Sequence, residues 1–180
     1  MDYEWIDGNI RFVVPEDATV IQSIYAPYVA NTSISFETEI PSVKTITERI
    51  KTMLSKYPYL VYETDSTIIG YAYASRYRDR AAYRFSADVS VYVAPEHHRH
   101  GVGKALYSKL FDLLIKQNIY TIYAAITLPN EASIGLHKSL GFHEVGVYQN
   151  VGYKHGKWLD VIWLEKPLRE YDTPEEDRVW

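Results

Sequence analysis

The stretch APEHHRHGVGKAL, running from Ala94 to Leu106, gathers three histidines, an arginine, two glycines and a lysine ahead of an apolar run. Three chemistries use such residues. GVGK ends like a nucleotide-binding loop, but that motif needs a glycine five residues before its final glycine and a serine or threonine after the lysine. His98 and Ala105 stand there instead. A metal would need His97, His98 and His100 to converge. Neighbouring side chains diverge in most backbone conformations, and no carboxylate or cysteine cluster lies nearby to complete a shell. A phosphate cradle asks for less. Glycines at 101 and 103 let a backbone approach a ligand closely, and a helix starting near Gly103 offers free N–H groups beside Arg99, His100 and Lys104. A phosphate cradle and a plain solvated basic run both remain open from these residues alone.

The neighbouring segments supply the elements such a loop needs. FSADVSVYV, Phe85 to Val93, alternates with the two-residue period of a strand and stops before Pro95. Leu106, Leu110, Leu113 and Leu114 recur at helical spacing after the loop. IYTIYAAIT, almost wholly apolar, predicts a central strand buried on both faces. Asn130 is placed to cap a helix that stops at Gly141.

Earlier in the chain, IRFVV (Ile10 to Val14) predicts a first strand ended by Pro15, and a helix follows from Asp17 to about Ala30. Ser42 caps a second helix, and YLVYE and TIIGYAYASRY form a hairpin around Asp65. Two last strands meet around His155 and Gly156. The order β-α-α-β-β-β-α-β-α-β-β predicts a mixed α/β sheet with helices on its faces.

Composition bounds the function. At 180 residues the chain makes one domain with a full core. A net charge of −4 argues against non-specific nucleic-acid binding. The absence of cysteine excludes disulfides, thiolate metal ligands and a cysteine nucleophile. No apolar run approaches the roughly 20 residues of a membrane span, and the acidic start MDYEWIDGN lacks an export pattern. A cytoplasmic protein is expected. Seventeen tyrosines exceed what a core needs, so some should line a pocket with an apolar wall and a polar tip.

At this point the sequence resembles a family. His98-Arg99-His100-Gly101-Val102-Gly103 is similar to the Arg/Gln-x-x-Gly-x-Gly/Ala loop of the GNAT acetyltransferases, with His98 at the position usually held by Arg or Gln. LPNEASIGLHKSLGF resembles their second signature, an Asn-capped helix ending in Gly-Phe. Together with ISFETEIP and VGYKHGKWLDV, these blocks look like the phosphinothricin and methionine sulfoximine N-acetyltransferases. The similarity runs from about Ile10 to Leu168.

The resemblance implies a GNAT fold: a mixed, mostly antiparallel sheet of six to seven strands flanked by helices on both faces. It implies a single domain over residues 1–168 with a charged tail over 169–180, acetyl-CoA as co-substrate, no metal, and a homodimer. It implies direct acetyl transfer to the primary amine of a small amino-acid-like acceptor. Asp88 matches the catalytic carboxylate. Being one methylene shorter than the usual Glu, it would act through a water. His137 matches the subfamily histidine that supplies the thiolate's proton or helps take the amine's, and its seven-residue separation from Asn130 puts both on one helix face. The backbone of Val91, Tyr92 and Val93 would pair with the pantetheine arm. Arg99, His100, Gly101, Val102, Gly103 and Lys104 would hold phosphates, with Asn130 and Ser139 as further cofactor contacts.

For an anionic acceptor, Phe36, Glu37, Arg78, Tyr83 and Arg84 match the family's substrate blocks, and arginine grips a carboxylate or phosphinate with two parallel bonds. Blander roles stand beside each: Asp88 pairing with Arg84, His137 satisfied in the core, and Arg76 to Arg84 as an exposed basic hairpin. Lys154 and Trp158 lie in a family block without a role assigned by spacing. Acetylation of a peptide N-terminus or polyamine, or acyl-CoA sensing without catalysis, are the competing functions.

Overall fold

Alternation and capping decide most of this architecture. The computed structural model describes residues 8–174. The MDYEWIDGN start and the end of the tail lie largely or wholly outside them. In chain order the elements are β1 (Asn9–Phe12), α1 (Ala18–Asn31), α2 (Val43–Leu54), β2 (Tyr59–Thr64), β3 (Thr67–Arg76), β4 (Ser86–Val93), α3 (Val102–Lys116), β5 (Thr121–Thr127), α4 (Glu131–Ser139), β6 (His143–Lys154) and β7 (Lys157–Pro167). Ser42 and Asn130 cap their helices as their residue types dictate, each side-chain oxygen accepting the N–H three residues on. The β2–β3 hairpin turns on Asp65 and Ser66 and the β6–β7 hairpin on His155 and Gly156, all with positive φ.

The first strand is shorter than its apolar run. It ends at Phe12 because Asp17, paired with Arg11 at 2.8 Å, also accepts the N–H of Val14 and pulls the chain into a short turn over Pro15–Asp17. The start of the tail is held by side-chain contacts. Arg169 donates to Asn118 at 2.8 Å, and Tyr171 stacks on Tyr120 and meets the Thr121 hydroxyl at 2.9 Å. Arg169 and Tyr171 thus dock the start of the tail against residues 118–121.

Seven strands form one open sheet in the order β1-β2-β3-β4-β5-β7-β6, antiparallel everywhere except between β4 and β5. Two apolar cores lie on its two faces. One packs α3 and Phe142 against Ala87, Val89, Ile122, Ala124, Ile126 and Leu164. The other packs α1 and α2 against Tyr59, Val61 and Tyr71. Because strand side chains alternate, Ala87 and Val89 face α3, whereas Asp88, Ser90 and Tyr92 face α1 and α2. The expected tyrosine-lined wall is on this second face, where the rings of Tyr25, Tyr28, Tyr71 and Tyr92 pack within 5.0–5.4 Å of a neighbour.

The parallel pair is what makes room for a site. β4 and β5 share only three register positions, the last being Asp88 with Tyr123. Beyond it β4 stays locked to β3 as far as Val93, and β5 stays locked to β7 as far as Thr127. The two strands diverge, and α3 and α4 close the wedge from one side.

Leu110 on α3 is fully buried in the larger core. Leu110→Ala should therefore lower unfolding free energy by about 2–5 kcal/mol in urea titration; a loss below about 1 kcal/mol would show that this core does not fix α3.

Candidate active site

The loop before α3 turns tightly into the helix. Arg99 and Gly101 take positive φ (64° and 80°), which turns the chain sharply between the end of β4 and the helix. Gly101 is the N-cap, and its carbonyl accepts the N–H of Ala105. The amides of Val102, Gly103 and Lys104 are then the unsatisfied first-turn donors, at the positive end of a fifteen-residue helix. Gly103 serves close packing: a Cβ there would lie 3.2 Å from Leu136 of α4.

His98 has a different job from the Arg or Gln it replaces. Its Nε2 lies 3.0 Å from the Val93 carbonyl and 2.8 Å from the Tyr28 hydroxyl. It ties the end of β4 to α1 and points away from the cradle. Among the described residues no group of three or more His, Asp or Glu is placed to hold a metal.

Register decides which backbone groups face the wedge. The N–H of Ala94 bonds to Ile69, so Ala94, Tyr92 and Ser90 direct their backbone groups to β3. Val89, Val91 and Val93 direct theirs toward the wedge. Tyr92 lines the wedge cavity too, with its backbone paired to Tyr71 and its ring packed among other tyrosines. The Val93 carbonyl is already taken by Tyr28 and His98, leaving its N–H and both groups of Val91. A cavity of about 60 Å3 fills the wedge, lined among others by Val91, Tyr107, Ala125, Asn130, Ser133 and His137.

Asp88 stands where the strands part. One of its carboxylate oxygens is buried without a hydrogen-bond partner. Burial raises its pKa to about 7, only partly opposed by the charge of Arg78. The cation acting on it is Arg78, not Arg84, whose guanidinium lies 4.3 Å over Phe85. A carboxyl poised near neutrality is suited to take a proton from an amine.

His137 is almost fully buried on the opposite face. Its Nδ1 lies 2.7 Å from the Ser133 carbonyl and its Nε2 3.2 Å from the Tyr107 hydroxyl. Burial lowers its pKa, so the ring is neutral. The Ser139 hydroxyl donates back to Leu136 at 2.7 Å on an exposed face. Tyr107 belongs to none of the sequence motifs. Its one signal in the sequence is helical spacing, which puts it in line with Gly103, Leu110 and Leu114.

The family model described as an acetyltransferase (GNAT) domain matches residues 10–163. A phosphinothricin N-acetyltransferase of Streptomyces coelicolor is 42% identical over 167 residues, covering 89% of this chain and 96% of the relative. The L-methionine sulfoximine/L-methionine sulfone acetyltransferase of Salmonella typhimurium is 32% identical, covering 93% and 98%. The crystal structure of a phosphinothricin acetyltransferase from Sinorhizobium meliloti in complex with acetyl-CoA superposes with a TM-score of 0.90 at 36% identity, covering 94% of both chains. The chain belongs to the GNAT acetyltransferases.

On the α1–α2 face of this GNAT enzyme, the residues expected to meet the acceptor do not all meet. Glu37 is held by Arg49 at 2.6 and 3.2 Å and by the Tyr25 hydroxyl at 3.1 Å. It anchors the loop after α1 and is not a free acid. Lys154, to which spacing assigns no role, buries its ammonium against the carbonyls of Val29 and Ser35 at 2.8 and 2.7 Å. Phe36 sits on Gly152, where any side chain would overlap its ring. The β6–β7 hairpin thus fastens the loop carrying Phe36 and Glu37.

Arg78 lies 4.9 Å over Tyr77 and 5.8 Å over Trp163, near Asp88. Arg76, Arg80 and Arg84 join it around a second cavity of about 240 Å3 at the other end of α3, which shares no lining residue with the wedge. Tyr83 is exposed and packs edge-on against Tyr77, while Trp158 is exposed against Tyr153.

The Asp88 carboxyl binds its proton more tightly in the folded chain than in the unfolded one. Folding stability therefore falls as pH rises from the ordinary 3.8 to about 7. Asp88→Asn should slow turnover about 100-fold or more, remove the acidic limb of the rate profile near pH 7, and raise unfolding free energy at pH 8 by roughly 2 kcal/mol. An unchanged rate profile, or lower stability at pH 8, would contradict the burial of an unpaired charge.

Proposed function

We propose that this GNAT enzyme moves the acetyl group of acetyl-CoA to the primary amine of a small, anionic, amino-acid-like acceptor of the phosphinothricin or methionine sulfoximine and sulfone type. One observation carries the reading: the wedge between β4 and β5 joins a phosphate cradle at one end to a near-neutral buried carboxylate at its apex. Phosphates rest on the amides of Val102, Gly103 and Lys104, with Arg99 and Lys104 adding charge. The arm lies along Val91 and Val93. The thioester then reaches the apex, where Asp88 takes the amine's proton directly or through a water. The freed lone pair attacks the carbonyl carbon, the N–H of Val91 is placed to stabilise the oxyanion, and collapse breaks the carbon–sulfur bond, expelling the CoA thiolate while the nitrogen gives its second proton to water. Arg78, next to Asp88, supplies the charge that an acceptor carboxylate or phosphinate needs.

A homodimer in the cytoplasm belongs to the same proposal. Val145, Val147, Tyr148, Val151 and Tyr153 leave an apolar stretch of β6 exposed, at the edge of the sheet where a second copy can cover it.

Thiol release from acetyl-CoA, measured against phosphinothricin, methionine sulfoximine, methionine sulfone, a peptide N-terminus and spermidine, separates the acceptor classes. Turnover is expected with the three amino-acid analogues and not with spermidine. Release only with the peptide or spermidine would reject the acceptor class. No release with any amine despite tight CoA binding would favour a sensor.

A further inference from the structure

Positive charge is gathered at the end of α3 away from the wedge. Lys56, Arg76, Arg78, Arg80 and Arg84 line one cavity of about 240 Å3, and Asp79 is the one acid among the described residues that line it. Asp79 reaches Arg76 at 3.6 Å, so the recess holds five cations against one carboxylate, in a chain whose net charge is −4. A recess lined by one sign of charge focuses its field and concentrates counter-ions.

Three separate segments build this cavity. Gln117, at the C-cap of α3, donates its amide to the Lys56 carbonyl and so fixes the turn after α2. Tyr57 and Ile119 pack into the α3 core and supply the apolar part of the lining. Arg76 ends β3 and pairs with Ala87. Facing residues on paired strands share a side of the sheet, so Arg76 projects with Ala87 toward α3, opposite to Asp88. The cavity shares no lining residue with the wedge, and the loop at the N-terminus of α3 contributes nothing to it.

The chemistry selects the ligand. A carboxylate carries one charge, which one or two arginines satisfy. A phosphate group carries up to about two charges and three strong acceptor oxygens, and guanidinium forks meet such oxygens in parallel pairs. Five cations suit phosphate, and the side formed by Tyr57 and Ile119 suits an organic body attached to it. We propose that this cavity is a second anion site, separate from the cofactor cradle, that takes the phosphate group of a small phosphorylated molecule and weakens acceptor binding through Arg78. Arg78 is the shared residue: it lines the cavity, and its charge also reaches Asp88. In the acetyl-transfer reading above, on which the kinetic effect rests, Arg78 meets the anionic group of the acceptor. A phosphate in the cavity draws that guanidinium to itself and lowers what it offers the acceptor. The binding itself needs no acetyl transfer.

Inorganic phosphate is the probe, titrated by calorimetry at constant ionic strength with CoA saturating, so that the cradle is filled. Saturable binding to the wild type is expected. Arg76 and Arg80 are exposed, and Arg76→Gln combined with Arg80→Gln should weaken phosphate binding about 10-fold or more with the urea midpoint unchanged. Arg80→Glu alone, a charge reversal, should weaken it in the same direction. In turnover, phosphate should raise the KM of the acceptor about threefold or more while the KM for acetyl-CoA stays within about twofold, and the double variant should lose that effect. Equal phosphate binding in the double variant, no binding once CoA saturates, or binding that leaves the acceptor KM unmoved would overturn the proposal. The calorimetry uses no amine, so it reads the site even where the proposed acceptor class fails.

Discussion

Three residues of parallel pairing hold the active centre together, and its function depends on their being only three. Ser86, Ala87 and Asp88 meet Thr121, Ile122 and Tyr123, and then each strand follows its outer antiparallel neighbour. A fully paired β4–β5 ladder would satisfy every backbone group and leave no opening. By parting, the strands leave Val91 and Val93 with unspent backbone groups inside a well-packed sheet. Such groups are costly to bury without a partner, so the wedge amounts to a vacant strand position. In the proposed reading an extended, amide-bearing pantetheine arm fills it as a peptide adds to a sheet edge.

The same divergence explains the unusual acid at its apex. Asp88 is the last residue with a partner on β5, and beyond it the sheet opens toward the tyrosine-lined face. The carboxylate is therefore largely buried, and the charge of Arg78 only partly opposes the effect of that burial. Stability is given up there, because a buried unpaired charge opposes folding. The surrounding architecture offsets this cost with two continuous cores and with clamps that bring distant segments together. Lys154 grips the end of α1, and Tyr28 with His98 grips the end of β4. Neither clamp touches the reacting atoms; both fix elements that do.

Much of this was legible in the sequence because it depends on local chemistry. The alternation of FSADVSVYV assigns Asp88 and Val89 to opposite faces, and the caps at Ser42 and Asn130 set helix starts to within a residue. The tight turn of the glycine-basic loop into α3 is legible because its glycines lie within three residues of one another. What escaped depends on contacts distant in the chain. The 30-residue separation of Tyr107 and His137 is bridged only when α3 packs on α4. The retreat of His98 needs Tyr28, seventy residues earlier, and the burial of Lys154 needs a carbonyl 125 residues away. The backbone side that Tyr92 presents is likewise set by register against β3, and register is not written in β4 alone.

The central claim is that β4 presents alternate amides to coenzyme A along the open wedge. Residue-resolved amide hydrogen exchange with and without CoA tests it most directly. Val91 and Val93 should exchange faster than Tyr92 in the free enzyme and become protected when CoA binds, while Tyr92, already bonded to Tyr71, should change little. Protection that appears at Tyr92 instead, or no change at Val91 and Val93 despite saturating CoA, would contradict the account.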